Sequence, residues 1–210
     1  MMTTDTIQTA RYRAPGVVKV SDEPLGPGAV KNHYRLLAPE SVSTITEYGS
    51  DYGMRHSIIE FHKSDHLITR VVSGDHGHGN LKLATFPKGR IWVHGAMGLL
   101  TLVDVSDSAN ISDTGSGDYS FGTVATADET LSGTNVNLGP SAALIDPFVS
   151  GVGASHADSV LAAAAAFDGS ATAVPIFLNI KFDGGDVTTG NGAATLTGRL
   201  VIKWSYLSLD

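Results

Sequence analysis

Two stretches near the C-terminus, residues 174–182 and 194–206, alternate apolar and polar side chains with a period of two. Successive side chains of an extended strand point to opposite faces, so this pattern suits strands with one face on a core. Ile176, Leu178, Ile180 and Phe182 share one face of the first stretch, and Leu196, Leu200, Ile202 and Trp204 share one face of the second. Strands this apolar need partners along both edges, and the chain upstream supplies them.

From Arg55 onward, short β-type runs alternate with turn chemistry. Residues 56–61 and 66–72 flank Lys63-Ser64-Asp65, which predicts a hairpin with a short loop. Residues 73–80, rich in Gly, His and Asp, read as a loop; residues 81–85 and 90–94 are strands around the turn Pro87-Lys88-Gly89. The alternation of 99–105 puts Leu100 and Leu102, or their neighbours, on one buried face, and Gly95-Ala96-Met97-Gly98 reads as a bend or bulge within one long strand. A polar loop over 106–117 precedes strands at 119–124, 135–138 and 142–145. Residues 158–167, with five consecutive alanines, predict one short helix by propensity, although neighbouring strands compete for that stretch. The expectation is an all-β fold, a jelly-roll-like β-sandwich over residues 51–210 with at most one short helix.

Residues 1–50 read differently. Pro15, Pro24, Pro27 and Pro39, half of the chain's eight prolines, stand among glycines and interrupt any ladder or helix. This predicts an extended N-terminal arm. Its short extendable runs, Val17-Val18-Lys19-Val20 and Tyr34-Arg35-Leu36-Leu37, are suited to pairing with a strand of this or another subunit.

Charge divides along the chain. Residues 1–100 carry 11 Lys+Arg and 9 Asp+Glu, and residues 101–210 carry 3 and 12, which gives +2 and −9 and sums to the net −7. An acidic half does not sit on phosphate backbones, and the basic half is too dilute to compensate, so no nucleic-acid partner is expected. Such a split suits contact between the basic part of one molecule and an acidic surface, its own neighbour's included. No window approaches the ~18 consecutive apolar residues of a membrane span, and Met1-Met2-Thr3-Thr4-Asp5-Thr6 lacks the layout of a signal peptide; neither membrane insertion nor export by that route is expected. The absence of cysteine excludes disulfides, thiolate chemistry and Cys-ligated metal sites.

The motifs that could carry chemistry are weak. Asp75-His76-Gly77-His78 with His94 is similar to the His-x-His element of cupins, in which imidazoles two apart on a strand share a metal with a third ligand nearby. A cupin places a glutamate a few residues on, where this chain has Gly79-Asn80-Leu81-Lys82. Asp113-Thr114-Gly115-Ser116 matches the catalytic turn of aspartic proteases, but it lacks the apolar flank and the second copy that two facing carboxylates require. Asp183-Gly184-Gly185-Asp186 could hold calcium weakly and is explained equally by a turn. Asn110-Ile111-Ser112 is a glycosylation sequon only in a secretory compartment. There is no Gly-x-Ser-x-Gly elbow and no glycine-rich phosphate loop. No catalytic residue, metal or cofactor is expected.

Residues 86–96, from Phe86-Pro87-Lys88-Gly89 to His94-Gly95-Ala96, followed by Leu99-Leu100-Thr101-Leu102, resemble a group of tailed-phage virion proteins. Residues 121–131, Phe177-Leu178-Asn179 and the closing stretch 195–204 carry the same resemblance, which covers roughly residues 80–206. It implies a structural component of the phage head: a decoration or cement protein with a jelly-roll body, arranged as a homotrimer on the shell exterior and made in the host cytoplasm. The implied partners are the major capsid protein and further copies of the chain. The arm is not part of that match. Its expected contacts with capsid or neighbouring subunit are Arg11, Arg13, Val17, Val18, Val20, Tyr34, Leu36 and Leu37. The alternatives are a tail- or vertex-associated β protein and a cupin-like metal-binding enzyme.

Overall fold

The structure, a computed structural model, describes residues 36–37, 43–49, 54–104, 110–112, 116–144 and 166–208. Within them lie β1 (Ser43–Gly49), β2 (Met54–Val71), β3 (His76–Thr85), β4 (Arg90–Asp104), β5 (Gly117–Gly122), β6 (Gly139–Leu144), β7 (Ala166–Asp168), β8 (Pro175–Phe182) and β9 (Gly192–Ser208). A 3₁₀ turn at Gly133–Asn135 is the one helical element among the described residues. The fold is all-β and jelly-roll-like, as the alternation implied.

All the strands join in one antiparallel sheet, ordered β6-β5-β8-β3-β2-β9-β4-β7, with β1 pairing β2 beside this path. The sheet curls into two leaves. The first leaf is β1, β2, β9, β4 and β7; the second is β3, β8, β5 and β6. β2 belongs to both, because residues 54–68 pair with β9 while Thr69, Arg70 and Val71 pair with β3. Where the leaves meet, Gly98 of β4 leaves room for the Phe121 ring of β5, which occupies the space a β-carbon would need. Gly198 of β9 does the same for Phe61, whose Cζ lies 2.5 Å from where a β-carbon would stand. The core between the leaves holds Ile176, Leu178, Ile180 and Phe182 from β8, Leu196, Leu200, Ile202 and Trp204 from β9, and Leu100 and Leu102 from β4, all fully buried. These are the faces that the alternation selected.

Several local expectations change. Lys63-Ser64-Asp65 is not a hairpin loop: β2 runs straight through, with a register shift against β9 between Lys63 and His66. One extra residue on β2 is absorbed as a bulge, and Asp65 takes the positive φ of 51° that a short polar side chain tolerates. The Gly-His stretch is not a loop beyond Asp75. The turn is tight, with positive φ at Gly74 and Asp75, and His76 to Asn80 already form β3. Gly77 and Gly79 face inward there, because β-carbons would meet Val187 and Ile68 at 2.5 and 2.9 Å. Residues 90–104 are one strand, β4, as expected, but its irregularity lies between Val93 and Gly95, and residues 95–98 pair with β9 in regular register. Residues 135–138 are not a strand; the ladder begins at Gly139. Of the helix expected over 158–167, Ala166 and Phe167 lie in β7, and the remainder falls outside the described residues.

The body begins before residue 51. β1 pairs along residues 55–61 of β2, and Leu37 bridges Thr85 with hydrogen bonds of 2.8 and 2.9 Å. The stretch from Leu36 to Gly49 therefore contributes to the sandwich wherever it is described.

Candidate interaction surfaces

Four regions come out of the strand register. The first is where the N-terminal stretch enters the body. Leu36 is 3% exposed and sits in the core, whereas Leu37 is 58% exposed. The Leu36 N–H donates to Glu47 Oε1 at 3.1 Å, and Ser57 Oγ donates to the same oxygen at 3.2 Å. Arg55 Nη1 donates to Glu47 Oε2 at 3.5 Å, and its guanidinium lies 5.4 Å from the centre of the Trp204 ring. The Trp204 indole N–H donates to Ser57 Oγ at 2.8 Å. Arg55 is 4% exposed, and a buried cation is tolerated only when paired and hydrogen-bonded. Glu47 thereby ties the incoming backbone, β2 and the core tryptophan together. Of the expected contact residues, Leu36 lies inside the core of this chain and Leu37 stays accessible; Arg11, Arg13, Val17, Val18, Val20 and Tyr34 lie outside the described residues.

The second region is the outer face of the second leaf, covered by residues 123–137. Asn179 on β8 is fully buried although it points away from the core. Its Oδ1 accepts from Thr126 N at 2.8 Å, and its Nδ2 donates to Val124 O at 3.1 Å and Asn135 O at 2.9 Å. Asn80 Nδ2 donates to Thr126 O at 3.0 Å and Ser120 Oγ to Asn135 O at 3.0 Å. Three adjacent strands thus hold one loop by side-chain amide and hydroxyl. Val124, Ala127 and Asp128 remain exposed on it, with Glu129 half-buried. Beyond the loop this face is polar: Lys181 Nζ lies 3.0 Å from Asp118 and 3.1 Å from Asp183, and the Asp118 hydrogen bond raises the lysine pKa.

The third region is the outer face of the first leaf, where no comparable loop is described. Register sets its residues in rows across the strands. Ile58, Val201 and Met97 form one row, Glu60, Arg199 and Leu99 the next, and Met54, Ser205 and Trp92 another. Trp92 is 47%, Met97 44% and Leu99 39% exposed. Trp92 stacks on His94, with ring centres 6.3 Å apart, and His94 Nε2 is 2.8 Å from Ser205 Oγ. An antiparallel sheet facing water normally alternates to polar on that side; here Met54, Trp92, Met97 and Leu99 stand exposed among polar neighbours such as Glu60, Arg199 and Lys203.

The histidines form the fourth group. His76 and His78 lie on β3 of the second leaf and His94 on β4 of the first, so the fold does not assemble them. Among the described residues, no three His, Asp or Glu side chains converge to hold a metal ion. His66 Nε2 and His78 Nδ1 are buried without a hydrogen-bond partner among the described residues. Burial, helped by the charge of Lys63, lowers the His66 pKa. Burial also pushes Tyr119 up to about 12, opposed by a hydrogen bond with the Leu100 backbone. Around Asp183-Gly184-Gly185-Asp186 the carboxylates accept hydrogen bonds from Ser116, with Ser116 N to Asp186 Oδ2 at 2.8 Å and Ser116 Oγ to Asp183 Oδ2 at 3.1 Å. Asp113-Thr114-Gly115 lies outside the described residues.

No family model, curated protein or solved structure matches this chain. The surfaces themselves are therefore the basis for a functional reading. Part of the apolar outer face of the first leaf was readable in principle, since Met97 and Leu99 are large apolar residues at the parity opposite to the buried Leu100 and Leu102; Trp92 shares the parity of those leucines and turns outward only through the register shift between Val93 and Gly95. The Asn80 and Asn179 clamp had no such signal, because a lone asparagine in a strand usually marks a turn or an edge.

Proposed function

We propose that this chain is a virion structural protein that decorates and stabilises a tailed-phage capsid shell, with its N-terminal stretch contacting the major capsid protein or a neighbouring subunit. The observation that supports the reading best is the anchorage at Leu36. A segment whose root is buried, hydrogen-bonded to Glu47 and bridged to Thr85 can transmit a pull to a rigid sandwich. Extended segments add buried area and main-chain pairing across boundaries between shell subunits. Binding that exists only on the assembled lattice stabilises that lattice by linkage, and many weak copies add by avidity. The resemblance carried by residues 86–96, 121–131 and 195–204 points the same way.

The test is co-sedimentation of the full chain with assembled empty heads of the phage that encodes it, counting bound copies per shell subunit. Saturable, stoichiometric binding supports the reading. A few copies per particle indicates a vertex or tail component, and no binding removes the shell role. The second arm of the experiment deletes residues 1–35 and keeps Leu36, because removing the core leucine would confuse loss of binding with loss of fold. The truncated chain is expected to keep its circular dichroism and lose occupancy; unchanged occupancy would show that the N-terminal stretch is not the contact.

A further inference from the structure

The outer face of the first leaf is large enough to take a partner and carries exposed apolar side chains, Met54, Trp92, Met97 and Leu99. Four strands about 4.8 Å apart and nine residues of β9 at about 3.3 Å each give a face of roughly 500 Å², polar positions included. Two surfaces of that size bury about 1,000 Å² together, near the lower bound for a specific interface. Its composition fits as well, since Met97, Leu99, Ile58 and Val201 form an apolar centre beside Glu60, Arg199 and Lys203, with Trp92 and Met54 in a second row beyond Lys203.

The charges decide what kind of partner. Three cations, Arg90, Arg199 and Lys203, lie on this face with two carboxylates: Asp168 stands opposite Arg90 and Glu60 opposite Arg199, which leaves Lys203 beside the apolar centre. A partner that brings carboxylates to Lys203 and apolar side chains to Met97 and Leu99 complements this face. The outer side of the second leaf has the other sign, with Asp118, Asp128, Glu129 and Asp183 against Lys82 and Lys181. Its loop also presents Val124 and Ala127 beside Asp128 and Glu129, held in one shape by Asn80 and Asn179.

We propose that the outer face of the first leaf, centred on Met97 and Leu99, is a self-association surface that receives the acidic loop 124–130 of a second copy. The contact is heterologous, so a pair keeps one free face and one free loop, and successive copies close into a ring or extend. This deepens the self-association part of the proposed function and rests on that part alone.

The experiment is sedimentation velocity of the full chain and two variants, each checked for an unchanged circular dichroism spectrum and melting temperature. Wild type is expected to associate at micromolar concentration and to weaken as salt rises. Met97→Glu with Leu99→Glu removes one face, and Asp128→Lys with Glu129→Lys reverses the other; each variant alone is expected to be monomeric. Mixed in equal amounts, they are expected to form dimers, because each retains the face the other lacks. A wild type that stays monomeric, a face variant that still associates, or a mixture that stays monomeric would each overturn the proposal. Shell binding measured separately tells the two readings apart: a monomer that still saturates shells leaves the decoration role standing without this interface.

Discussion

The two leaves of the sandwich share a core and differ in what happens on their outer sides. On the second leaf, outward polar residues at Asn80, Ser120 and Asn179 are engaged by the chain's own loop at 2.8 to 3.1 Å. On the first leaf, outward residues include Met54, Trp92, Met97 and Leu99, which remain well exposed. One face is closed by the molecule itself and the other is left for contact. A polar group that must be satisfied draws in a specific loop, whereas an apolar face accepts any complementary surface of the right size. On this comparison the second leaf carries internal stability, and the first is where the proposed association would act.

Substitutions should separate these roles. The largest expected effect is Asn179→Leu, which leaves Thr126 N, Val124 O and Asn135 O without the partners they have now. A loss of about 3 kcal/mol in urea unfolding is expected, given about 1–3 kcal/mol for each buried group left unsatisfied and partial rescue by water. Retained stability would mean that the loop is held by something other than the clamp. Next is Gly98→Ala, which drives a methyl group into the Phe121 ring where the leaves meet; overpacking of this kind costs about 2 kcal/mol. If the melting temperature does not fall, the leaves are not pressed together at that point.

A smaller effect concerns pH. Burial lowers the pKa of His66 below the ordinary 6.5 in the folded protein. The unfolded chain therefore takes up the proton first as pH falls through about 6.5, and stability is lost from there downward until the folded pKa is reached. His66→Gln should flatten the stability curve below about pH 6.5 relative to wild type. An unchanged slope would assign the acid sensitivity to other groups. The smallest effect on stability is expected for Met97→Gln on the first leaf, within about 0.5 kcal/mol as for other surface changes. That same change should weaken association, and a large loss of stability instead would show that Met97 is part of the core.

Much of this architecture was legible in the residues. Period-two alternation in 174–182 and 194–206 selected the buried faces of β8 and β9, Trp204 included, because parity fixes the side on which a strand residue points. Turn chemistry was less reliable. Lys63-Ser64-Asp65 has hairpin composition but lies opposite an unbroken β9, whose ladder outweighs a local turn preference, so the surplus becomes a bulge. His76-Gly77-His78-Gly79 has loop composition, yet its glycines are small for the sake of Ile68 and Val187 across the core. Local sequence does not carry the size of a neighbour brought in by the fold. For the same reason Leu36 read as part of a free arm, when its place in the core depends on Glu47 and Thr85.

The two tryptophans offer the most direct test of the claim that the first leaf's outer face works by contact. Trp204 is fully buried and Trp92 is 47% exposed, so acrylamide quenching of the full chain reports chiefly on Trp92. The account predicts that quenching is strong in dilute protein and falls as concentration rises and the face is covered by a second copy. Equal quenching across the whole concentration range, with Trp92 open throughout, would contradict it.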